Sequence, residues 1–417
     1  MPVRARRHGI ISSRLRRLRR VPSRIPPLAI TAFTATSALG RGREAHLRAL
    51  RERRGGLRAN DFTDTPLPCA IGRVEGIESV ELPADLRDLD SRNHRLAWLG
   101  LQADGFLGIA RAAVERHGAD RVALLAATST ASIGATEAAY RALDDGRFPA
   151  ALAQPELHTL HSLGLFLDRL VGARGPCMTV STACSSSAKI FAQGERLIRL
   201  GLADAVILAG VDSLCGSVLF GFNALELVSP QACRPFDAQR DGISIGEAAG
   251  FALLERDGDA RAPRLLGHGE SSDAHHMSTP HPQGLGARLA VGAALARAGL
   301  GAHAVDYINL HGTATVKNDE VEAAAVANLF PATTRASSTK GFTGHTLGAA
   351  GILEAAIALL ALDAQFVPGT LNTATPDAAC GPQLALGNEE RALRVALSNS
   401  FGFGGNNCAL VFGRGAA

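Results

Sequence analysis

The chain has 417 residues, 46% of them hydrophobic and 20% charged, with 45 Gly and 19 Pro. That length allows two to four domains of about 100–200 residues or one large duplicated unit, and the composition excludes a collagen-like, low-complexity or disordered chain. The net charge of +4 hides an asymmetry: residues 1–25 carry nine Arg and no acid, which leaves 34 basic against 39 acidic residues in the rest, a mildly acidic body unlike a nucleic-acid-binding domain.

In chain order, the opening MPVRARRHGIISSRLRRLRRVPSRIPP is Arg-rich and ends in a Pro pair. It lacks the apolar region of a secretory signal. A solvated tail or over-extended start, a surface-binding helix and an organellar transit peptide all fit it, so residues 1–27 are set aside as an extension expected to be disordered. Ordered structure is expected from Leu28, where LAITAFTATSALG reads as a strand and a Gly-containing loop. Leu96–His117 has helical periodicity. Arg121–Thr128 and Ala205–Val211 are short continuous apolar runs, as in strands buried on both faces. Ser187–Leu200 reads as a helix, Phe251–Glu255 as an edge-like strand, Tyr307–Leu310 as a buried strand, and Leu353–Ala364 as a helix closed by Pro368. No run of about 18 uncharged apolar residues occurs, so no membrane span is expected. Strand–helix alternation argues an α/β fold with mostly parallel strands. A Pro-marked boundary near Arg261–Pro263 separates two halves, 28–260 and 261–417, each with a strand, a tight Gly- or Ser-rich turn and a helix.

Seven Cys without a CxxC pair argue against a disulfide scaffold and for a reducing cytoplasm. One of them stands apart. Gly175–Lys189 reads GPCMTVSTACSSSAK, a β-rich run after which Cys184 opens a helix. A helix start offers unpaired N–H groups and a positive dipole end that lower a thiol's pKa. Farther on, NLHGTAT delivers His311 into a Gly/Thr loop, and SSTKGFTGHTLGAAG places Lys340 in a loop and His345 at a helix start. Two His in separate strand–helix turns and a poised Cys form a nucleophilic constellation. Asn399–Asn407 reads NSFGFGGNN, whose glycines allow positive φ and inward N–H groups, the second half of an oxyanion hole begun by the N–H of Cys184. His275, His276 and His281 fit no zinc spacing, and no metal site is expected.

The ordered set TACSSS, HGTAT, STKGFTGHTLGAAG and NSFGFGG, with RPFDAQRDGISIGEAAG at 234–250 and HHMSTPHPQG at 275–284, resembles the β-ketoacyl-acyl-carrier-protein synthases from about residue 28 to 413. The resemblance implies a thiolase-like, duplicated five-layer αβαβα sandwich, normally dimeric. It implies Cys184 as the nucleophile, His311 and His345 as the pair assisting malonyl decarboxylation, Lys340 as an active-site lysine and Glu354 as its buried partner. It further implies an oxyanion hole at Cys184 and Phe403, pantetheine contacts at Thr313 and Thr315, and pocket walls from Phe222, Phe401 and Phe403. The implied reaction is decarboxylative Claisen condensation in fatty-acid elongation, in the cytoplasm. It needs no cofactor beyond the 4′-phosphopantetheine that arrives on acyl- or malonyl-loaded carrier protein. Arg92 and Arg95 are candidate contacts for that acidic carrier. Val316 and Asn406 stand where the family commonly has Pro and Thr. They leave open a second pathway, a type II polyketide or aryl-polyene ketosynthase working as a homodimer or beside a chain-length-factor-like subunit.

Overall fold

The structure, a computed structural model, describes residues 24–149 and 154–415. Residues 1–23 of the Arg-rich opening lie outside the described residues. Within 24–27, Ile25 is buried and its N–H donates to the Arg297 carbonyl at 2.9 Å, so packing begins before the first strand.

Ten strands form one continuous path. The N-terminal half supplies β1 (Leu28–Ser37), β2 (Val122–Ala127), β3 (Cys177–Val180), β4 (Ala205–Asp212) and β5 (Ala248–Glu255). The C-terminal half supplies β6 (Arg264–Ser272), β7 (Tyr307–Asn309), β8 (Arg335–Ser337), β9 (Val395–Gly402) and β10 (Asn406–Gly413). Their order is β8-β7-β9-β10-β6-β1-β5-β4-β2-β3. The halves meet where β1 pairs antiparallel with β6, Leu28 opposite Leu265 and Ala29 opposite Arg264.

Each half repeats one plan. Outward from the seam, the N-terminal half has β1, β5, β4, β2 and β3, and the C-terminal half has β6, β10, β9, β7 and β8. In both, the two outermost pairings are parallel and the two nearest the seam antiparallel. Parallel strands therefore do not dominate as expected, for a local reason. Asp212 at the end of β4 lies opposite Ala248 at the start of β5, so the chain re-enters the sheet at the end where it left and must reverse direction. The same register places Phe251–Glu255 between β1 and β4, in the interior of the sheet and not at an edge.

The helices are α1 (Gly42–Arg51), α2 (Arg92–Gln102), α3 (Phe106–His117), α4 (Ile133–Arg141), α5 (Ser162–Val171), α6 (Ser186–Arg199), α7 (Gly216–Ala224), α8 (Leu285–Ala298), α9 (Val316–Leu329), α10 (Lys340–Thr343) and α11 (Ala350–Ala364). The helical stretch expected over 96–117 is broken at Asp104 and Gly105, both at positive φ. The Asp104 carboxylate accepts from the Thr34 hydroxyl at 2.7 Å and the Arg43 N–H at 2.9 Å, and this fixes the break.

Strand alternation sorts the layers. Val122, Leu124 and Ala126 face α2, α3 and α5, while Ala123, Leu125 and Ala127 face the central helices α6 and α11. In the other half, Leu410 and Phe412 face the centre, and Ala409 and Val411 face the outer helices α8 and α9. The result is helix, sheet, helix pair, sheet, helix: the five-layer sandwich that the resemblance implies. Residues 347–364, which include α11, are long and apolar enough to cross a membrane by length and composition. They are 89% buried here, as the core helix between the two halves of the sheet.

The central pair is packed backbone to backbone. A Cβ on Gly351 would stand 2.5 Å from the Ala188 nitrogen, and the Ile352 N–H donates to Ser187 Oγ at 2.9 Å. Helices α6 and α11 follow corresponding strands, β3 and β8, and their N-terminal ends meet where the site lies.

Candidate active site

Cys184 sits between β3 and α6, two residues before the helix. Ala183 before it holds φ 52°, a left-handed conformation that costs a non-glycine residue about 1–3 kcal/mol. Neighbouring hydroxyls hold that elbow. Ser186 Oγ accepts the Thr182 N–H at 2.8 Å and donates to the Ala183 carbonyl, and Ser185 Oγ donates to the Thr182 carbonyl at 2.9 Å. The small side chains that mark the motif are thus its scaffold.

His311 follows β7. Glu322 on α9 accepts the N–H of His311 at 2.9 Å, the N–H of Gly312 at 2.8 Å and the amide of Asn399 at 3.1 Å. Gly312 is required by space: its Cβ would stand 2.5 Å from the Phe236 ring and 2.6 Å from Ser338 Cβ. His345 follows Gly344, at φ 74°, and is gripped by the 234–250 segment. Its N–H donates to the Ser244 carbonyl at 2.7 Å, and its carbonyl accepts from Gly246 at 3.0 Å. Lys340 opens the short helix α10, where a loop was expected.

These elements bring Cys184, His311, His345 and Lys340 together. His345 Nε2 lies 2.9 Å from Cys184 Sγ, and the two imidazoles stand edge-on with centroids 5.4 Å apart. Lys340 Nζ lies 3.3 Å from His311 Nδ1 and also bonds the His311 carbonyl and the Glu354 carboxylate. All are buried, Lys340 and Glu354 to within 3%.

Burial sets the charges. It holds both imidazoles well below the ordinary histidine range, reinforced by the Lys340 ammonium, so both rings are neutral. Burial also pushes Cys184 up to about 11, against the pull of Lys340 and the Phe403 N–H. This reverses the expectation from the helix start: desolvating a thiolate outweighs the favourable dipole, and the resting group is a thiol. Glu354 and Glu322 are each pushed up to about 7 by burial, opposed for Glu354 by Lys340 and for Glu322 by the N–H groups it accepts.

Tautomers follow from the partners. An ammonium only donates, so His311 Nδ1 accepts and Nε2 carries the hydrogen. His345 Nδ1 is buried without a partner, and an orphaned N–H costs more than an orphaned lone pair, so its hydrogen also belongs on Nε2.

The site opens into a cavity of about 280 Å³ lined by Cys184, both histidines, Thr313, Thr315, Phe222, Phe401 and Phe403. Thr313 and Thr315 hydroxyls lie 2.9 Å apart, and Phe222 and Phe403 stack obliquely at 5.7 Å. Gly404 and Gly405 have positive φ, as the NSFGFGGNN turn requires, whereas Gly402 does not. His276 lines the cavity, and His275 and His281 lie edge-on beside each other at 5.2 Å. Among the described residues, one group of His, Cys, Asp or Glu has metal-ligand spacing: Cys184, His311 and His345, with donor atoms within 4.8 Å. The Lys340 ammonium beside His311 opposes a divalent ion there.

Arg92 and Arg95 do not serve the mouth of this cavity. Arg92 forms a fork with the buried Glu247 at 2.6 and 2.9 Å, and Arg95 one with Asp90. Both line a separate cavity beside α4 and α7. Sequence reasoning also passed over three buried acids. Glu322 holds the His311 loop. Asp212 accepts from Thr128, Ser129 and Thr130 on the facing loop, and Glu247 accepts from Val74 and Leu214. An acid closing the apolar run AVILAGVD, or one on the alanine-rich face of α9, was the available signal.

Residues 167–260 match the family described as Beta-ketoacyl synthase, N-terminal domain, and residues 263–374 match Beta-ketoacyl synthase, C-terminal domain. The 3-oxoacyl-[acyl-carrier-protein] synthase 2 of Rhizobium meliloti (strain 1021) is 41% identical over 262 residues, which cover 58% of this chain and 61% of that relative's length. Nodulation protein E of the same organism is 37% identical over 295 residues, covering 67% of this chain and 72% of that one. The solved complex of the ketosynthase ApeO with its chain length factor ApeC from Xenorhabdus doucetiae contains a chain that superposes with a TM-score of 0.86 at 36% identity, covering 93% of this chain and 98% of that one. The chain belongs to the β-ketoacyl synthase family, in the thiolase-like superfamily.

Proposed function

We propose that this chain is a 3-oxoacyl-[acyl-carrier-protein] synthase that extends acyl chains by decarboxylative Claisen condensation in fatty-acid synthesis. The observation that carries the reading is the buried Cys184 thiol 2.9 Å from a neutral imidazole, with a second neutral imidazole beside it. Cys184 Sγ attacks the carbonyl of an acyl thioester, its proton passes to the departing carrier thiolate, and an acyl-Cys184 thioester remains. A malonyl thioester then loses CO2. The electron pair of the broken C–C bond forms an enolate, whose oxygen accepts from the Nε2–H groups of His311 and His345. The enolate carbon attacks acyl-Cys184, the new C–C bond forms, and Cys184 leaves as thiolate and takes a proton.

The oxyanion of both acyl-transfer steps would accept from the N–H groups of Phe403 and Cys184. The pantetheine arm would pass Thr313 and Thr315, and the acyl chain would lie against Phe222, Phe401 and Phe403. This chain would need no cofactor of its own, since 4′-phosphopantetheine arrives on the acidic carrier protein. A cytoplasmic homodimer is the form proposed, in keeping with seven free cysteines.

The test is mass spectrometry after incubation with acyl-loaded carrier protein. Cys184→Ala should lose the acyl mass shift entirely, and an acyl group found on another residue would defeat the assignment. A second reading, a polyketide or polyene ketosynthase beside a non-identical subunit, draws on one observation: the 36% identity to a ketosynthase–chain length factor complex. Co-purification of a related subunit lacking the nucleophile would favour it.

A further inference from the structure

We propose that Lys189 and Asn406 are positioning residues, a clamp that ties the 402–405 turn to the helix carrying Cys184. The inference rests on the reading above and names two residues that neither the nucleophile nor the histidines require. The chain has only three lysines. Lys340 is paired with Glu354 and Lys317 with Glu320. Lys189, half-buried on α6 five residues beyond Cys184, has no carboxylate within 4.0 Å among the described residues. Its Nζ instead donates to Asn406 Oδ1 at 3.0 Å. An acid lies on the neighbouring strand, but Glu270 is already taken by Arg196, farther along the same helix.

Asn406 closes the turn whose Phe403 lines the cavity beside Cys184 and whose backbone N–H lowers the thiol's pKa against its burial. The turn also presses on the nucleophile's backbone. A Cβ on Gly402 would stand 3.2 Å from the Cys184 nitrogen and 3.1 Å from the Thr182 carbonyl oxygen. Asn407 Nδ2 donates to the Gly405 carbonyl at 3.0 Å, and Gly402 pairs with Asn406 within the β9–β10 ladder. The contacts outside that ladder lie on the other side: the Gly404 N–H donates to the Met277 carbonyl at 2.6 Å, and the Asp273 N–H to the Gly405 carbonyl at 3.0 Å. Both of those partners lie on the 273–281 loop, where Met277 is exposed. Lys189 is therefore the side-chain link from the turn to the nucleophile's own helix.

The consequence is chemical. An N–H aimed at a developing oxyanion works only within about 2.7–3.1 Å of it, and removing one such donor costs about 10²–10³ in rate. A clamp that keeps Phe403 in place, on a helix that already fixes Cys184, couples donor to nucleophile. Losing it should cost part of that factor.

The experiment is a double-mutant cycle on full-length enzyme with Lys189→Met, Asn406→Ala and both together. The rate of Cys184 acylation per titrated thiol is measured with carrier-bound and with small thioester substrates. Each single variant should lower the maximal rate about tenfold with KM unchanged and both substrates affected equally, and the double variant should lose no more than either single. Alkylation by iodoacetamide at pH 8.5 should slow in parallel, because the same N–H stabilises the thiolate. Should Asn406→Ala not fold, Asn406→Asp keeps an acceptor for the ammonium. It should stay within about threefold of the parent with Lys189 present and fall with Lys189→Met. Losses that multiply in the double variant, or unchanged acylation and alkylation in both singles, overturn the clamp. If the parent enzyme takes no acyl group yet the alkylation cycle shows coupling, the proposed function fails and the clamp stands.

Discussion

Glu354→Gln isolates the most exposed assumption about the site, that Lys340 is a buried cation held by one acid. Glu354 and Lys340 are both within 3% of full burial, Lys340 bonds Glu354 Oε1, and Glu354 Oε2 has no hydrogen-bond partner among the described residues. Removing one member of such a pair leaves the other charge buried and uncompensated, at about 3–5 kcal/mol. With an unfolding entropy near 2 cal/mol/K per residue over this chain, that loss lowers the melting temperature by about 3–6 °C. The companion variant Lys340→Met with Glu354→Leu removes both charges, and apolar replacements of buried pairs are often neutral or stabilising. Its melting temperature should return to the parent's.

Activity should not return with it. Lys340 Nζ lies 3.3 Å from His311 Nδ1 and fixes the tautomer that turns Nε2–H toward the cavity. Without it His311 is free to carry its hydrogen on the wrong nitrogen. Differential scanning fluorimetry beside a malonyl-dependent condensation assay reads both arms. A Glu354→Gln protein with parental melting and turnover refutes the reasoning about the charge, and a double variant with full condensation refutes the reasoning about the tautomer.

Further outcomes follow from the same geometry. His311→Ala and His345→Ala should leave Cys184 open to acylation while condensation falls by about 10² or more, and near-normal turnover in both would exclude their role on the enolate. Because burial holds the thiol near 11, alkylation of Cys184 by iodoacetamide should still be accelerating at pH 9.5; a plateau by pH 8 would show a thiolate at rest. Glu322, pushed up to about 7, keeps a proton in the folded state that the unfolded chain releases near 4.5, so its contribution to stability is full below that value and declines as pH rises to about 7. Glu322→Gln should flatten that decline by up to about 3 kcal/mol, measured as denaturant midpoints from pH 4.5 to 8. Gly351→Ala should force α6 and α11 apart, costing about 1–3 kcal/mol and slowing acylation; a parental melting curve with parental rates would mean the contact yields freely.

What the sequence revealed and what it withheld divide along the range of the forces involved. Strands such as AVILAGVD and the glycine-marked turns around His345 and 402–405 are written in local propensity, and they stand where periodicity placed them. The Cys–His–His set was legible because each member lies in its own short, unusual turn. The buried acids were not. Glu322, Asp212 and Glu247 act on backbone N–H groups 10 to 173 residues away, and no neighbouring residue announces such a partner. Arg92 misled for the same reason: its exposed-looking context, SRNHR, gives no hint of Glu247, 155 residues on. Phe251–Glu255 reads as an edge-like strand, yet it is hydrogen-bonded on both sides, by β1 and β4, which lie far off in sequence.

The repeated plan of the two halves divides the chemistry unevenly. The sulfur rides on the first repeat, and both imidazoles, the ammonium and the phenylalanine turn ride on the second. Neither repeat holds a reaction by itself, and the 2.9 Å between Sγ and Nε2 is a distance between two copies of one architecture. It is maintained by a seam: the β1–β6 pairing, and the crossing where Gly351 meets Ala188. The repeated plan thus brings with it a joint, and the joint is where changes remote from the cavity can reach the site. A substitution along that seam, at Gly351 or in the β1–β6 pairing, would act on the contact between Cys184 and His345 without touching either residue.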